Sequence, residues 1–110
     1  MRFMTLWRPG KKSNANTPKM QAEMGQLIEE MTKSGQLVAT GGWDPNGPRT
    51  VVTNTGSEMN ITDGPFAEAK EMIAGFAIIE VKSKEEAIEL TKRFLKIAGE
   101  GTSEVRQLGG

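Results

Sequence analysis

The 110-residue chain contains no cysteine, no histidine and no tyrosine. Without cysteine there is no disulfide frame and no thiol nucleophile. Without histidine, the usual general base of neutral pH is missing, and so is the commonest metal ligand. A zinc site would have to be built from carboxylates alone, which suits that metal poorly. No Asp/Glu spacing resembles a calcium loop. Neither a metal nor a cofactor is therefore expected, and acid–base chemistry falls to Asp, Glu, Lys, Ser, Thr or the substrate itself. An excess of one charge is also missing, because 14 basic side chains cancel 14 acidic ones. That balance favours no polyanion, so no nucleic-acid partner is expected. Long hydrophobic runs are absent too. Met1 to Arg8 is too short and too soon charged for a signal-peptide core, and no run is long enough to cross a bilayer. The expectation is a soluble cytoplasmic protein with no membrane partner, folded as a single domain over residues 1–110 with a real core.

What is present alternates between strand and helix patterns. Phe3 to Arg8, closed by Pro9-Gly10, predicts a strand with Phe3, Thr5 and Trp7 on one face and Met4 and Leu6 on the other. Lys11 to Thr17 is polar and predicts a loop. Thr17-Pro18 is a helix start, a capping hydroxyl followed by proline at the first helical position. Met20, Met24, Leu27, Ile28 and Met31 then mark one helical face, which reads as core, and Ser34-Gly35 stops the helix. Leu37 to Trp43 predicts a strand bulged or bent at Gly41-Gly42. Asp44 to Pro48 predicts a turn. Thr50–Thr53 and Met59–Thr62 flank Asn54-Thr55-Gly56-Ser57 and predict a β-hairpin. Gly75 to Val81 is the clearest strand. Ala77, Ile79 and Val81 lie on one face, Phe76, Ile78 and Glu80 on the other. Ser83 and Glu86 form a capping box. The helix that follows carries Ala87, Leu90, Thr91, Phe94 and Ala98 on one stripe and ends at Gly99. Glu104 to Leu108 predicts a last strand at an edge or in a subunit contact. The order strand, helix, strand, hairpin, strand, helix, strand predicts an α+β, ferredoxin-like β-α-β-β-α-β sandwich with an inserted β-hairpin.

The densest local signal is Asp63-Gly64-Pro65-Phe66-Ala67-Glu68-Ala69-Lys70-Glu71. A carboxylate that can accept backbone N–H groups, a glycine and a proline predict a rigid turn leading into a short helix anchored by Phe66. The string D-G-P-F-A-E-x-K-E, with Gly75-Phe76 opening a strand after it, resembles the signature of DGPF proteins within the YCII-related domain family. The segment with Val51-Val52 and the closing Glu104-Val105-Arg106 also fit, so the resemblance covers nearly the whole chain. It implies a ferredoxin-like fold that pairs into a dimeric α/β barrel, in a family mostly of unassigned function. Some relatives carry a His–Asp pair thought to be catalytic, and a few process lactones or remove halogen. With no histidine, this chain departs from that pattern.

Asp63 has two readings, a cap that holds its turn and a catalytic acid or base gathered in a cleft with Glu68, Lys70 or Arg49. The candidate ligand-binding residues are Trp7, Trp43, Arg49, Asp63, Phe66, Glu68 and Lys70. Each has a plain alternative as packing or solvated surface. The first functional reading is a homodimeric domain that binds a small molecule in a pocket near the signature. The second is an enzyme on small carboxylated or lactone-like substrates that uses Asp63. The third is a protein-interaction module linked, through family context, to transcription regulation. The two-sided apolar character of Phe3–Trp7 and Phe76–Val81 predicts a homodimer through the sheet face that the helices leave bare, with the hairpin as the rival cover.

Overall fold

The computed structural model describes residues 1–13, 17–44, 47–64 and 73–109. Its elements run β1 (Arg2–Ser13), α1 (Pro18–Lys33), β2 (Leu37–Gly42), β3 (Arg49–Asn54), β4 (Met59–Gly64), β5 (Gly75–Glu80), α2 (Lys84–Ala98) and β6 (Gly99–Gln107). Four strands form one sheet in the order β2-β5-β1-β6, with β3-β4 as a separate two-stranded ribbon. All paired strands are antiparallel. The fold is the expected α+β ferredoxin-like arrangement with a hairpin inserted between β2 and β5. The short helix expected after Pro65 lies outside the described residues.

Both helices start where the sequence places them. The Thr17 hydroxyl accepts the Met20 amide at 3.1 Å, with Pro18 opening α1. The Ser83 hydroxyl accepts the Glu86 amide at 3.1 Å. The return half of this capping box is displaced by one residue: the Glu86 carboxylate accepts from the Lys82 N–H, before the cap, at 3.2 Å. Its other oxygen accepts from the Gln36 amide at 2.8 Å, which ties the start of α2 to the entry of β2. These two donors, Gln36 first, hold the Glu86 carboxyl below its ordinary value. A carboxyl whose folded pKa is depressed contributes stability above its unfolded pKa and loses it as pH falls toward the folded value. Urea midpoints compared at about pH 6 and about pH 3 should therefore drop less in Glu86→Gln than in the parent chain.

Both helices cover one face of the sheet. Phe3, Leu27, Met31, Ile79, Val81, Ala87 and Leu90 form the buried cluster between them. The apolar stripes explain this: Leu27 and Met31 are the buried residues of α1, and Ala87, Leu90, Thr91 and Ala98 those of α2. The buried Thr91 hydroxyl donates to the Ala87 carbonyl at 2.8 Å, so no orphan polar group results. On the outer side an ion pair between Arg93 and Glu30 joins the two helices.

Three boundaries differ from the sequence reading. β1 does not stop at Pro9-Gly10 but continues to Ser13, through part of the predicted loop. β6 begins at Gly99 rather than Glu104. The two extensions pair with each other, Pro9 with Gly101 and Ser13 with Gly99. Proline is tolerated because β1 has already passed the end of its pairing with β5 at Trp7. Gly101 is needed there, since a Cβ would sit 2.8 Å from the Arg8 carbonyl oxygen. In β2 the register shift falls between Leu37 and Ala39, not at the two glycines.

Candidate functional site

The sheet face opposite the helices is built by alternation. Phe3, Thr5 and Trp7 point to the helices, with Trp7 meeting Phe94 of α2 edge-on at 5.5 Å. Met4 and Leu6 therefore point the other way. The register sets Ile78 and Arg106 on either side of Met4, and Phe76 and Glu104 on either side of Leu6. On β2, Ala39 lies beside Ile78 and Gly41 beside Phe76. The result is an apolar centre of Met4, Leu6, Phe76 and Ile78.

Aromatic groups mark one end of this open face. The Phe76 ring folds across Gly41, where a Cβ would lie only 2.8 Å from the ring. Trp43, two residues beyond Gly41, sits 6.3 Å from Phe76 between ring centroids, with a tilt of 37°. Its side chain is about half exposed. The Trp43 N–H donates to the Ala74 carbonyl, and the Ala74 N–H donates to the Trp7 carbonyl, both at 2.8 Å. Buried Ala74, which follows the signature segment, thus pins the backbones of both tryptophans.

Charged groups mark the margins. Glu104 lies between Arg106, at 2.7 Å, and Arg8, at 3.4 Å. At the far end Glu80 accepts Arg2 at 3.0 Å and lies 3.7 Å from the terminal ammonium. Ion pairs thus sit at both ends of the face. Such pairs add little stability while exposed.

The predicted site residues are not all brought together. Trp43 is on the open face, whereas Trp7 is on the helix face, where its Nε1 is buried without a hydrogen-bond partner among the described residues. Directly opposite Trp7 on β6, the Ser103 hydroxyl is buried and unpartnered as well. Asp63 is a residue of β4 rather than of a turn beyond it, and it is exposed. It accepts the Thr50 hydroxyl across the ribbon at 2.6 Å. Arg49, one residue before Thr50, falls on the opposite face of that ribbon from Asp63. Phe66, Glu68 and Lys70 lie outside the described residues. Among the described residues, no group of three or more carboxylates could hold a metal, and no helix is long and apolar enough to cross a membrane.

Sequence reasoning placed Phe76 and Ile78 on a second sheet face in need of cover, and named Leu6, Arg8 and Glu104 only as strand residues. The period-two pattern of β1 and β5 was the available signal. An open cleft of about 570 Å³ lies at the far end of the open face, lined by Met1, Arg2, Glu80 and Gln107, and another of about 630 Å³ lies between the helices beside Glu30 and Arg93; neither touches Trp43, Arg49 or Asp63.

A sheet with two helices on one face, a bare second face and an inserted ribbon is the frame against which known proteins compare. The model of the YCII-related domain matches residues 1–108. The chain belongs to the YCII-related domain family. An uncharacterised protein of Rhizobium meliloti (strain 1021) is 25% identical over 97 residues, spanning 87% of this chain and 78% of that protein. The fold is also similar to a solved 5-chloro-2-hydroxyhydroquinone dehydrochlorinase of Burkholderia phenoliruptrix AC1100, in complex with 2,5-dihydroxybenzoquinone. The TM-score is 0.50 at 14% identity, with 99% of this chain and 94% of that one covered. At that identity the likeness concerns the fold alone.

Asp63→Asn should leave stability within about 0.5 kcal/mol of the parent, because the amide oxygen still accepts the Thr50 hydroxyl. Asp63→Ala removes that cross-strand bond and should cost about 0.5–1 kcal/mol. Urea unfolding of the two variants checks both values.

Proposed function

We propose that this YCII-related domain is a homodimeric binder of a small apolar or aromatic molecule bearing an anionic group, held at the Trp43–Phe76 end of the open sheet face. The observation that carries the reading is that face itself. Met4, Leu6, Phe76 and Ile78 form an apolar centre that neither helix covers, and an apolar sheet face of this kind is rarely left in water. Among the described residues, the rival cover, the inserted ribbon, has no extensive packing against the four-stranded sheet. Trp43 and Phe76 supply a flat wall for an apolar body, and the guanidinium groups of Arg8 and Arg106 at the margin support an anionic head. The signature that begins at Asp63 supports a place in the DGPF branch of the family.

The test is thermal shift with benzoate and hexanoate as probes, combined with quenching of tryptophan fluorescence. A ligand that binds only the folded state stabilises it by RT ln(1 + L/Kd), with L the free ligand concentration, so the melting temperature climbs with ligand concentration. The reading expects a dose-dependent rise with at least one probe, lost in Trp43→Ala while circular dichroism is unchanged. No shift with either probe, or an equal shift in Trp43→Ala, would contradict it.

A further inference from the structure

Gly41 is a glycine of β2 whose missing side chain is replaced by a ring. A Cβ there would lie 2.8 Å from Cε1 of Phe76, with Cζ at 3.5 Å and Cδ1 at 3.6 Å. Phe76 is its register partner on β5. The backbone at this position does not demand glycine, because the positive-φ glycines are Gly35, Gly56 and Gly99 among the described residues. Alanine can adopt the Gly41 conformation, and the nearest atoms it would displace are those of the Phe76 ring.

This contact fixes which way the ring leans. On the open face Phe76 has two lateral neighbours, Gly41 on β2 and Leu6 on β1. The ring tips over Gly41 toward Trp43, with 6.3 Å between the two ring centroids. It leans away from Leu6. β2 is an edge strand, and an aromatic ring laid over an edge glycine shields and steadies that edge. Shielding alone accounts for the Gly41–Phe76 contact. It does not account for the second ring beside it, since Trp43 leaves half its surface in water. Both rings stand on fixed backbone. The Trp43 N–H is bonded to the Ala74 carbonyl, and the Phe76 carbonyl accepts the Thr40 hydroxyl at 2.9 Å.

We propose that Gly41 is a positioning residue of the ligand site, and that the body it makes room for is a single flat aromatic ring carrying a carboxylate. The inference rests on the binding reading above and narrows its ligand from apolar or aromatic acids to aromatic ones. With Phe76 tipped toward β2, the ligand ring lies over Leu6 and against the rings of Phe76 and Trp43. Aromatic rings gain from offset-stacked or edge-to-face contact beyond the area they bury, and a puckered saturated ring does not. Two protein rings inclined at 37° therefore favour a flat guest over a saturated one of equal charge. A methyl group at position 41 drives the Phe76 ring back over Leu6, into the place of the ligand.

Benzoate and cyclohexanecarboxylate share a carboxylate and a six-membered ring and differ in flatness. Isothermal titration calorimetry gives both dissociation constants for the parent chain, Gly41→Ala and Phe76→Leu. Gly25→Ala is the control for a glycine exchange, because on α1 its Cβ would meet nothing within 4 Å. The parent chain is expected to bind benzoate at least about fivefold more tightly than cyclohexanecarboxylate, and Gly25→Ala to match it. In Gly41→Ala the affinity for benzoate should fall at least about tenfold and the preference for the flat ring to below about twofold, at native circular dichroism. The preference is a ratio of affinities, so a merely structural effect of the substitution leaves it unmoved. Phe76→Leu keeps the room but removes the ring, and it should lose the preference too. It carries the test if Gly41→Ala does not fold. Equal benzoate affinity in the parent chain and Gly41→Ala, no preference for benzoate in the parent chain, or a preference that survives in Phe76→Leu overturns this inference and leaves the binding reading in place. A parent chain that binds neither benzoate nor hexanoate overturns both.

Discussion

Ile79→Ala is expected to destabilise the fold by about 2–5 kcal/mol, among the largest costs of any single truncation in this chain. Ile79 is 2% exposed and is the largest fully buried side chain among the described residues. It lies between Phe3 of β1 and Leu37 of β2 in register, on the face covered by the helices. Removing three carbons there loses their transfer energy and leaves a cavity that a close-packed core fills poorly. A domain of this size has about 5–15 kcal/mol of total stability, so the variant should unfold at markedly lower urea and temperature. Equilibrium urea unfolding with an unchanged m-value is the measurement. A loss under about 1 kcal/mol would mean that the core is not centred on this sheet face.

Ile78→Glu, one residue away, should have a different outcome. Its side chain points to the open face between Met4 and Ala39. In an isolated chain a glutamate at this partly buried position still carries its carboxylate to water and leaves the fold largely intact. In a dimer closed over this face it places two unpaired carboxylates inside the contact, one from each copy. Leaving a charge buried without a partner costs several kcal/mol, so the dissociation constant should rise on the order of 100-fold or more. The expected result is a folded monomer, with native circular dichroism and half the mass in solution. A dimer of unaltered affinity would place the contact elsewhere. Loss of the fold would mean that Ile78 is part of the core of a single chain.

The contrast between Ile78 and Ile79 also shows why much of this fold was legible in the sequence. Strand alternation assigned Phe3, Thr5 and Trp7 to one face and Met4 and Leu6 to the other. The cap residues Thr17 and Ser83 and the stop at Gly35, with φ 79°, located both helices. What was not legible depends on pairing between distant segments. Pro9-Gly10 and Gly99-Glu100-Gly101 each look like punctuation when read locally. They become strand because each supplies the other's partner, and because Gly101 lets the two backbones approach. The bulge at Val38 rather than Gly41-Gly42 has the same origin. Gly41 keeps its regular place because the Phe76 ring occupies the space above it.

The candidate site was less legible, for a related reason. Trp7 and Trp43 are similar residues at strand ends, and the sequence offers no means to see that an intervening crossover puts them on opposite faces. Asp63 drew attention through its neighbours Gly64 and Pro65, while its hydrogen bond goes back across the ribbon to Thr50. Arg8 carries no motif, and Phe76 enters the signature only as the aromatic that opens the following strand. They matter through the register that sets them on one uncovered face.

The central claim is that the open sheet face is closed by a second copy of the chain. Light scattering behind a sizing column at micromolar concentration tests it most directly. The account predicts a particle of about twice the 12.0 kDa chain mass, and a mass of one chain across that range would contradict it.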